Sequence, residues 1–218
     1  MKKILLLALI VMCFTSCEKD RSNRDETTKG GFIENGIIVF EDQNFLQALL
    51  NIEGIDADND SQISVKEAQK VQKLDLSNQN ISSISEIKYF PALENLSRSS
   101  NKLTVLDVSQ NNALEELWCN SNQLTSLDVS ANSDLKYLHC KRNQLSSLII
   151  GNNATLAMLH CDDNLLTLLD LRYCTSLRTL HCTDNLLEKV FLPWNHKVRG
   201  ACINEIVSRY GKIIEFAD

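Results

Sequence analysis

Apolar residues return along this chain at one fixed spacing. From Leu93 to Lys197 a period of 21 residues runs through five units, beginning at Leu93, Leu114, Leu135, Leu156 and Leu177. Each unit reads LxxLxC, then an asparagine three residues on, then further apolar positions at regular offsets. A constant period predicts a solenoid, in which a unit contacts mainly its neighbours and none can bury its apolar face alone. The fourth and sixth positions alternate with polar neighbours, which predicts a short strand with Leu96, Leu117, Leu138, Leu159 and Leu180 facing in. Further inward columns are Leu103 to Leu187, Leu106 to Val190 and Val108 to Leu192. Fully burying one such side chain contributes about 1.5–3 kcal/mol relative to exposure, so stacking offsets the chain entropy.

The rhythm weakens at both ends. The stretch from Leu74 to Ala92 keeps its apolar positions but is longer, as an irregular first coil. Pro193 and Trp194 alter the last unit. After Val198 the period stops, and ACINEIVSRYGKIIEF predicts an amphipathic helix (Ile203, Ile206, Val207, Tyr210), a stop at Gly211 and a strand. A cap with one polar face is what an open solenoid end needs. Arg98 stands where the next four units carry cysteine, so the first unit is expected to be distorted or its column opened to solvent.

Columns also assign roles to polar residues. Asn101, Asn122, Asn143, Asn164 and Asn185 sit where the chain leaves each strand, and an amide side chain can donate and accept to backbone groups there. Asn111, Asn132, Asn153 and Asn195 suit a second turn, with Cys174 as the exception. Eight cysteines in an exported chain invite a disulfide framework. Cys119, Cys140, Cys161 and Cys182, however, share one core column, where parallel side chains about 4.8 Å apart fit poorly with the roughly 3.8 Å Cβ separation of a disulfide. They are expected as buried, inert thiols. The pairing of Cys174 and Cys202 stays open.

The N-terminus carries Lys2 and Lys3, then an apolar run from Ile4 to Phe14 too short to span a bilayer. Residues 1–16 are expected as a signal peptide and 17–36 as a polar tether. Thr15 and Ser16 before Cys17 resemble a bacterial lipobox, which implies lipidation of Cys17 and an outer-membrane or cell-surface lipoprotein. The fixed length and the asparagine column resemble the short leucine-rich repeats of bacterial surface proteins, sometimes called the IRREKO type. That resemblance implies a leucine-rich repeat solenoid over 74–197 with short parallel strands and an irregular convex side. A small helical cap precedes it over 37–73, and an α/β cap follows over 198–218.

Before the solenoid, Asp56, Asp58 and Asp60 fall at positions one, three and five of an EF-hand loop. Gln62 supplies a backbone carbonyl, Ser64 acts directly or through water, and Glu67 closes position twelve. Phe45, Leu49 and Ile52 make an entering helical face, Ala68 and Val71 an exiting one. Ser61 replaces the usual glycine at position six, which predicts weakened affinity. The competing reading is a solvated acidic turn capping the next helix. Such a loop ahead of such repeats resembles exported Bacteroidetes proteins, which implies structural calcium in the cap.

His-Cys occurs at His139-Cys140, His160-Cys161 and His181-Cys182. Alternation sends the two members to opposite faces, so a site using both from one strand is excluded. An exposed column remains: Trp118, His139, His160 and His181. Beside it run Glu116, Tyr137, Met158 and Thr179, and then Asn120, Lys141, Asp162 and Thr183. The column reads as a transition-metal row, as repeat redundancy, or as a recognition strip of Trp118, Tyr137, His139, Lys141, Met158, His160 and His181, residue types that interfaces enrich. The net charge of −6, with no basic stripe, argues against nucleic acid. The expected function is a non-enzymatic surface module binding a protein or glycan. The alternatives are a metal-dependent hydrolase on the histidine row and a purely structural envelope lipoprotein.

Overall fold

The computed structural model describes residues 31–193 and 214–216. The signal peptide, Cys17, Trp194, Cys202 and the expected helix around Ile203–Tyr210 lie outside the described residues.

The described residues open with an antiparallel hairpin of β1 (Phe32–Glu34) and β2 (Ile37–Val39). Its two turn residues, Asn35 and Gly36, have φ of 51° and 83°, the conformation a two-residue primed turn requires. Strand β1 therefore lies inside the stretch expected as tether. Helix α1 (Gln43–Leu50) follows, with Asp42 Oδ1 accepting from the Asn44 and Phe45 amides. Helix α2 (Val65–Ala68) is a single turn started by a capping box between Ser64 and Glu67.

Stacked coils come next. On one side β3 (Lys73–Asp75), β4 (Asn95–Ser97) and β5 (Glu116–Trp118) are joined by β7 (Tyr137–His139), β9 (Met158–His160) and β11 (Thr179–His181) in one six-stranded parallel sheet. The opposite side is more regular than expected. There β6 (Ser126–Asp128) pairs with β8 (Ser147–Ile149), and β10 (Leu168–Asp170) pairs with β12 (Lys189–Leu192). Strand β13 (Ile214–Phe216) lies parallel to β12, with Val190 opposite Ile214. The irregular first coil contains a 3-10 helix at Ser85–Tyr89.

All the expected leucine columns lie in one continuous core. The five asparagines tie coil to coil. Asn143 Nδ2 donates to the carbonyls of Cys119 and Cys140, both at 3.0 Å, and its Oδ1 accepts from the Leu124 amide at 3.1 Å. Asn122, Asn164 and Asn185 repeat that arrangement. Asn111 and Asn132 form a second, buried set at the other turn, each donating to carbonyls of the coil before. The cap docks by similar means: Asp42 Oδ2 accepts from the Ser82 amide and hydroxyl, both at 2.7 Å. Phe45 packs between Phe40 and Phe90, with ring centroids 5.1 and 6.4 Å away.

Two expectations about the cysteine column need correction. Arg98 does not open it to solvent: the side chain is fully buried, and none of its three guanidinium nitrogens has a hydrogen-bond partner. Burial lowers its pKa to about 10, partly countered by the neighbouring Cys119 thiol, so it stays cationic at neutral pH. Cys119, Cys140, Cys161 and Cys174 are free and buried, and burial raises all four thiols. Cys182, expected as a fourth inert thiol, is disulfide-bonded. Its partner is none of the four free cysteines Cys119, Cys140, Cys161 and Cys174.

Candidate functional site

Each strand of the six-stranded sheet is three residues long, with its central leucine buried and the residues on either side facing outwards. In-register pairing sets these into two columns. One runs Lys73, Asn95, Glu116, Tyr137, Met158, Thr179; the other runs Asp75, Ser97, Trp118, His139, His160, His181.

The second column contains a stack of rings. Trp118 and His139 lie 4.0 Å apart and within 5° of parallel, and His139–His160 and His160–His181 follow at 4.4 and 4.3 Å. Stacking changes what the face offers. Trp118 and Tyr137 are 39% and 38% exposed, but His139, expected as exposed, is covered to 8% by the rings on both sides. Met158, His160, His181 and Lys141 are half-buried. Burial, then the nearby charges of His160, Lys141 and His181, hold the His139 pKa down at about 4. Burial also lowers His160, with His181 adding to the effect and Asp162 opposing it. Its Nε2 is buried without a partner. Asp162 is engaged elsewhere, accepting from the Thr183 amide and hydroxyl at 3.0 and 2.9 Å.

A row spaced this way does not focus its nitrogens on one point. Among the described residues the single group of three converging metal-capable donors is Asp56, Asp58 and Asp60, whose ligand atoms lie within 4.8 Å of one another. Asp56 accepts from the Asp60 and Ser61 amides at 3.1 and 3.0 Å, and Asp60 from the Gln62 amide at 2.8 Å. Glu67 reaches back across the loop, with Oε1 accepting from Ala57 and Oε2 from the Ser64 amide and hydroxyl. Ser61 takes the left-handed conformation, φ 65°, which costs a non-glycine residue about 1–2 kcal/mol. The three aspartates are hard oxygen donors of the kind calcium takes, while Glu67 stands outside that converging group with its oxygens on Ala57 and Ser64.

Sequence reasoning missed one partner of this loop. Ile38 donates to the Ile63 carbonyl at 2.9 Å, Val65 donates to the Gly36 carbonyl at 3.0 Å, and Ile37 bridges Ser64. The hairpin thus pairs with the loop edge. The signal was present in Asn35-Gly36 between apolar residues, a strong hairpin indicator.

No family model matches the chain, and no curated protein matches it. Among solved structures, the functional domain of InlJ from Listeria monocytogenes, which includes a cysteine ladder, is 32% identical. The match covers 64% of this chain and 34% of that one, with a TM-score of 0.56. A leucine-rich repeat protein of Leptospira interrogans is 23% identical over 62% of this chain and 43% of that one, at a TM-score of 0.50. The fold is a leucine-rich repeat solenoid. This leucine-rich repeat chain spans about a third of the InlJ domain, and it carries its own column of Cys119, Cys140 and Cys161 beneath the ring stack.

The histidine stack makes stability pH-dependent. His139 titrates near 6.5 when unfolded and near 4 when folded. Below pH 6.5 the unfolded chain therefore binds a proton that the folded chain refuses. Stability from this residue is lost as pH falls from 6.5 to 4, by at most about 3 kcal/mol. Urea unfolding of the protein and of His139→Gln at steps between pH 7 and 4 checks this. The curves are expected to converge with falling pH, and parallel curves contradict the assignment.

Proposed function

We propose that this chain is a non-enzymatic binding module that takes a protein partner on the six-stranded face. The observation that carries the reading is the pair of exposed aromatics, Trp118 and Tyr137, beside a stack that fixes their surroundings. Large aromatic side chains already held in place lose little freedom on binding, which favours them as anchors. The half-buried Met158, His160, His181 and Lys141 continue the strip. A hydrolase built on the histidines lacks support, because no third donor converges with them among the described residues.

The module is exported in this proposal and held at the cell surface by lipid on Cys17, a residue preceded by Thr15 and Ser16. Calcium in the Asp56–Glu67 loop is structural. Asp56, Asp58, Asp60, Gln62, Ser64 and Glu67 hold it, and it stiffens the cap by bracing the loop edge against the hairpin. A glycan ligand on the same face is the second outcome that binding experiments separate from a protein one.

Two measurements test these statements. A protein captured on the immobilised chain and then purified is expected to lose at least about tenfold in affinity for Trp118→Ala/Tyr137→Ala. The melting temperature should fall, since Trp118 covers His139, but the variant should still unfold cooperatively above the binding temperature. Retained affinity contradicts the face. Calorimetry with calcium is expected to give one equivalent bound and a higher melting temperature, both lost in Asp56→Ala. Absence of heat and of any thermal shift contradicts the calcium loop.

A further inference from the structure

The ring stack ends unevenly. At the His181 end the histidines are half-buried, whereas at the other end the indole of Trp118 has one face against His139 and the other open. Next in that column is Ser97, too short to cover an indole; its hydroxyl is held by Ser77 at 2.9 Å. Beyond it stands Asp75, two rungs from the indole and so about 10 Å along the column. The result is a cleft of about 400 Å³ lined by Lys73, Asp75, Asn95, Ser97, Glu116 and the indole. Every lining residue belongs to β3, β4 or β5, so the cleft lies on the side of Trp118 away from the histidines.

Its chemistry selects among occupants. The open indole face calls for a flat group, and the flanking charge calls for a cation. The Glu116 carboxylate, in the column beside the indole, is half-buried and makes no hydrogen bond or ion pair among the described residues. The Asn95 side chain, one rung below, also makes no hydrogen bond there. Asp75 adds a second carboxylate, while Lys73 stands on the far rung. A guanidinium is planar, stacks on tryptophan and directs its N–H donors sideways in its own plane. Laid on the indole over Ser97, it aims those donors across to the column of Asn95 and Glu116. An ammonium has no plane to stack, and a neutral sugar leaves the Glu116 charge uncompensated, whereas Asp75 already accepts from the Ser77 amide at 3.0 Å.

We propose that the cleft is an arginine pocket, in which a partner protein inserts one arginine between Trp118 and Asp75 and pairs it with Glu116. The proposal rests on the partner-binding reading of the strand face and names the partner's anchor residue. The guanidinium extends the ring stack by one member, with Asp75 supplying long-range attraction and Asn95 a hydrogen-bond acceptor.

Nuclear magnetic resonance of the labelled protein with N-acetyl-arginine-methylamide tests it. The probes for comparison are the citrulline counterpart, which keeps the shape without the charge, and methyl β-glucoside. Arginine is expected to shift the Trp118 indole N–H saturably, with the signal assigned by its loss in Trp118→Ala. Citrulline, or Glu116→Gln with arginine, should weaken the effect by about fivefold, while the His139 ring signals in Glu116→Gln stay in place. Equal response to citrulline, no response to arginine, or response to the glucoside alone overturns the pocket. The strand-face reading falls separately: it survives those outcomes if Trp118→Ala/Tyr137→Ala still loses the captured protein partner.

Discussion

Everything in this molecule rests on asparagine side chains that bond two successive coils at once. Asn122, Asn143, Asn164 and Asn185 each donate to a carbonyl of their own coil and to one of the coil before, and accept an amide from that earlier coil. Each hydrogen bond contributes only about 1 kcal/mol net, but an unmade one leaves a buried backbone group that costs about 1–3 kcal/mol. The arrangement also demands a left-handed residue before each asparagine. Ser100, Ser121, Arg142, Asp163 and Asp184 all adopt it, with φ between 52° and 58°. A repeated cost of this kind persists because the ladder returns more than it takes.

Fixed coils make fixed columns, and the columns carry the chemistry. One column holds four rings in contact, which is why a histidine on the outer face is buried and stays neutral well below its ordinary pKa. On the inner side the same register lines up Cys119, Cys140 and Cys161 and puts Arg98 into the core, a cation with no hydrogen-bond partner. Nothing in the structure explains why arginine occupies that position. At the N-terminal end the column rule relaxes into Asp75 and Ser97, and the open cleft lies there, on the strands nearest the N-terminal cap.

The period made the solenoid, its core columns and the ladder legible, because each depends on residues at equal spacing. It also separated the His-Cys pairs into two faces. Features that depend on contacts between columns were not legible. The burial of His139 comes from the rings above and below it, and alternation alone assigns it to solvent. The disulfide at Cys182 is a contact made outside its own column, so its column position predicted a thiol. The short strands β6, β8, β10 and β12 form on a side where polar and apolar positions alternate too briefly to register. The hairpin at Phe32–Val39 was overlooked because the polar run before it suggested tether, although Asn35-Gly36 marked its turn.

The central claim, that side-chain bridges between coils hold the display face in register, is tested most directly by Asn143→Ala. That change strips the Cys119 and Cys140 carbonyls and the Leu124 amide of their shared partner, and those two cysteines directly follow the stacked pair Trp118 and His139. Urea unfolding combined with the ring proton spectra of Trp118 and His139 reads both consequences. The account predicts a loss of roughly 2–4 kcal/mol together with displaced ring signals. A loss under about 0.5 kcal/mol with the ring signals unmoved would contradict it.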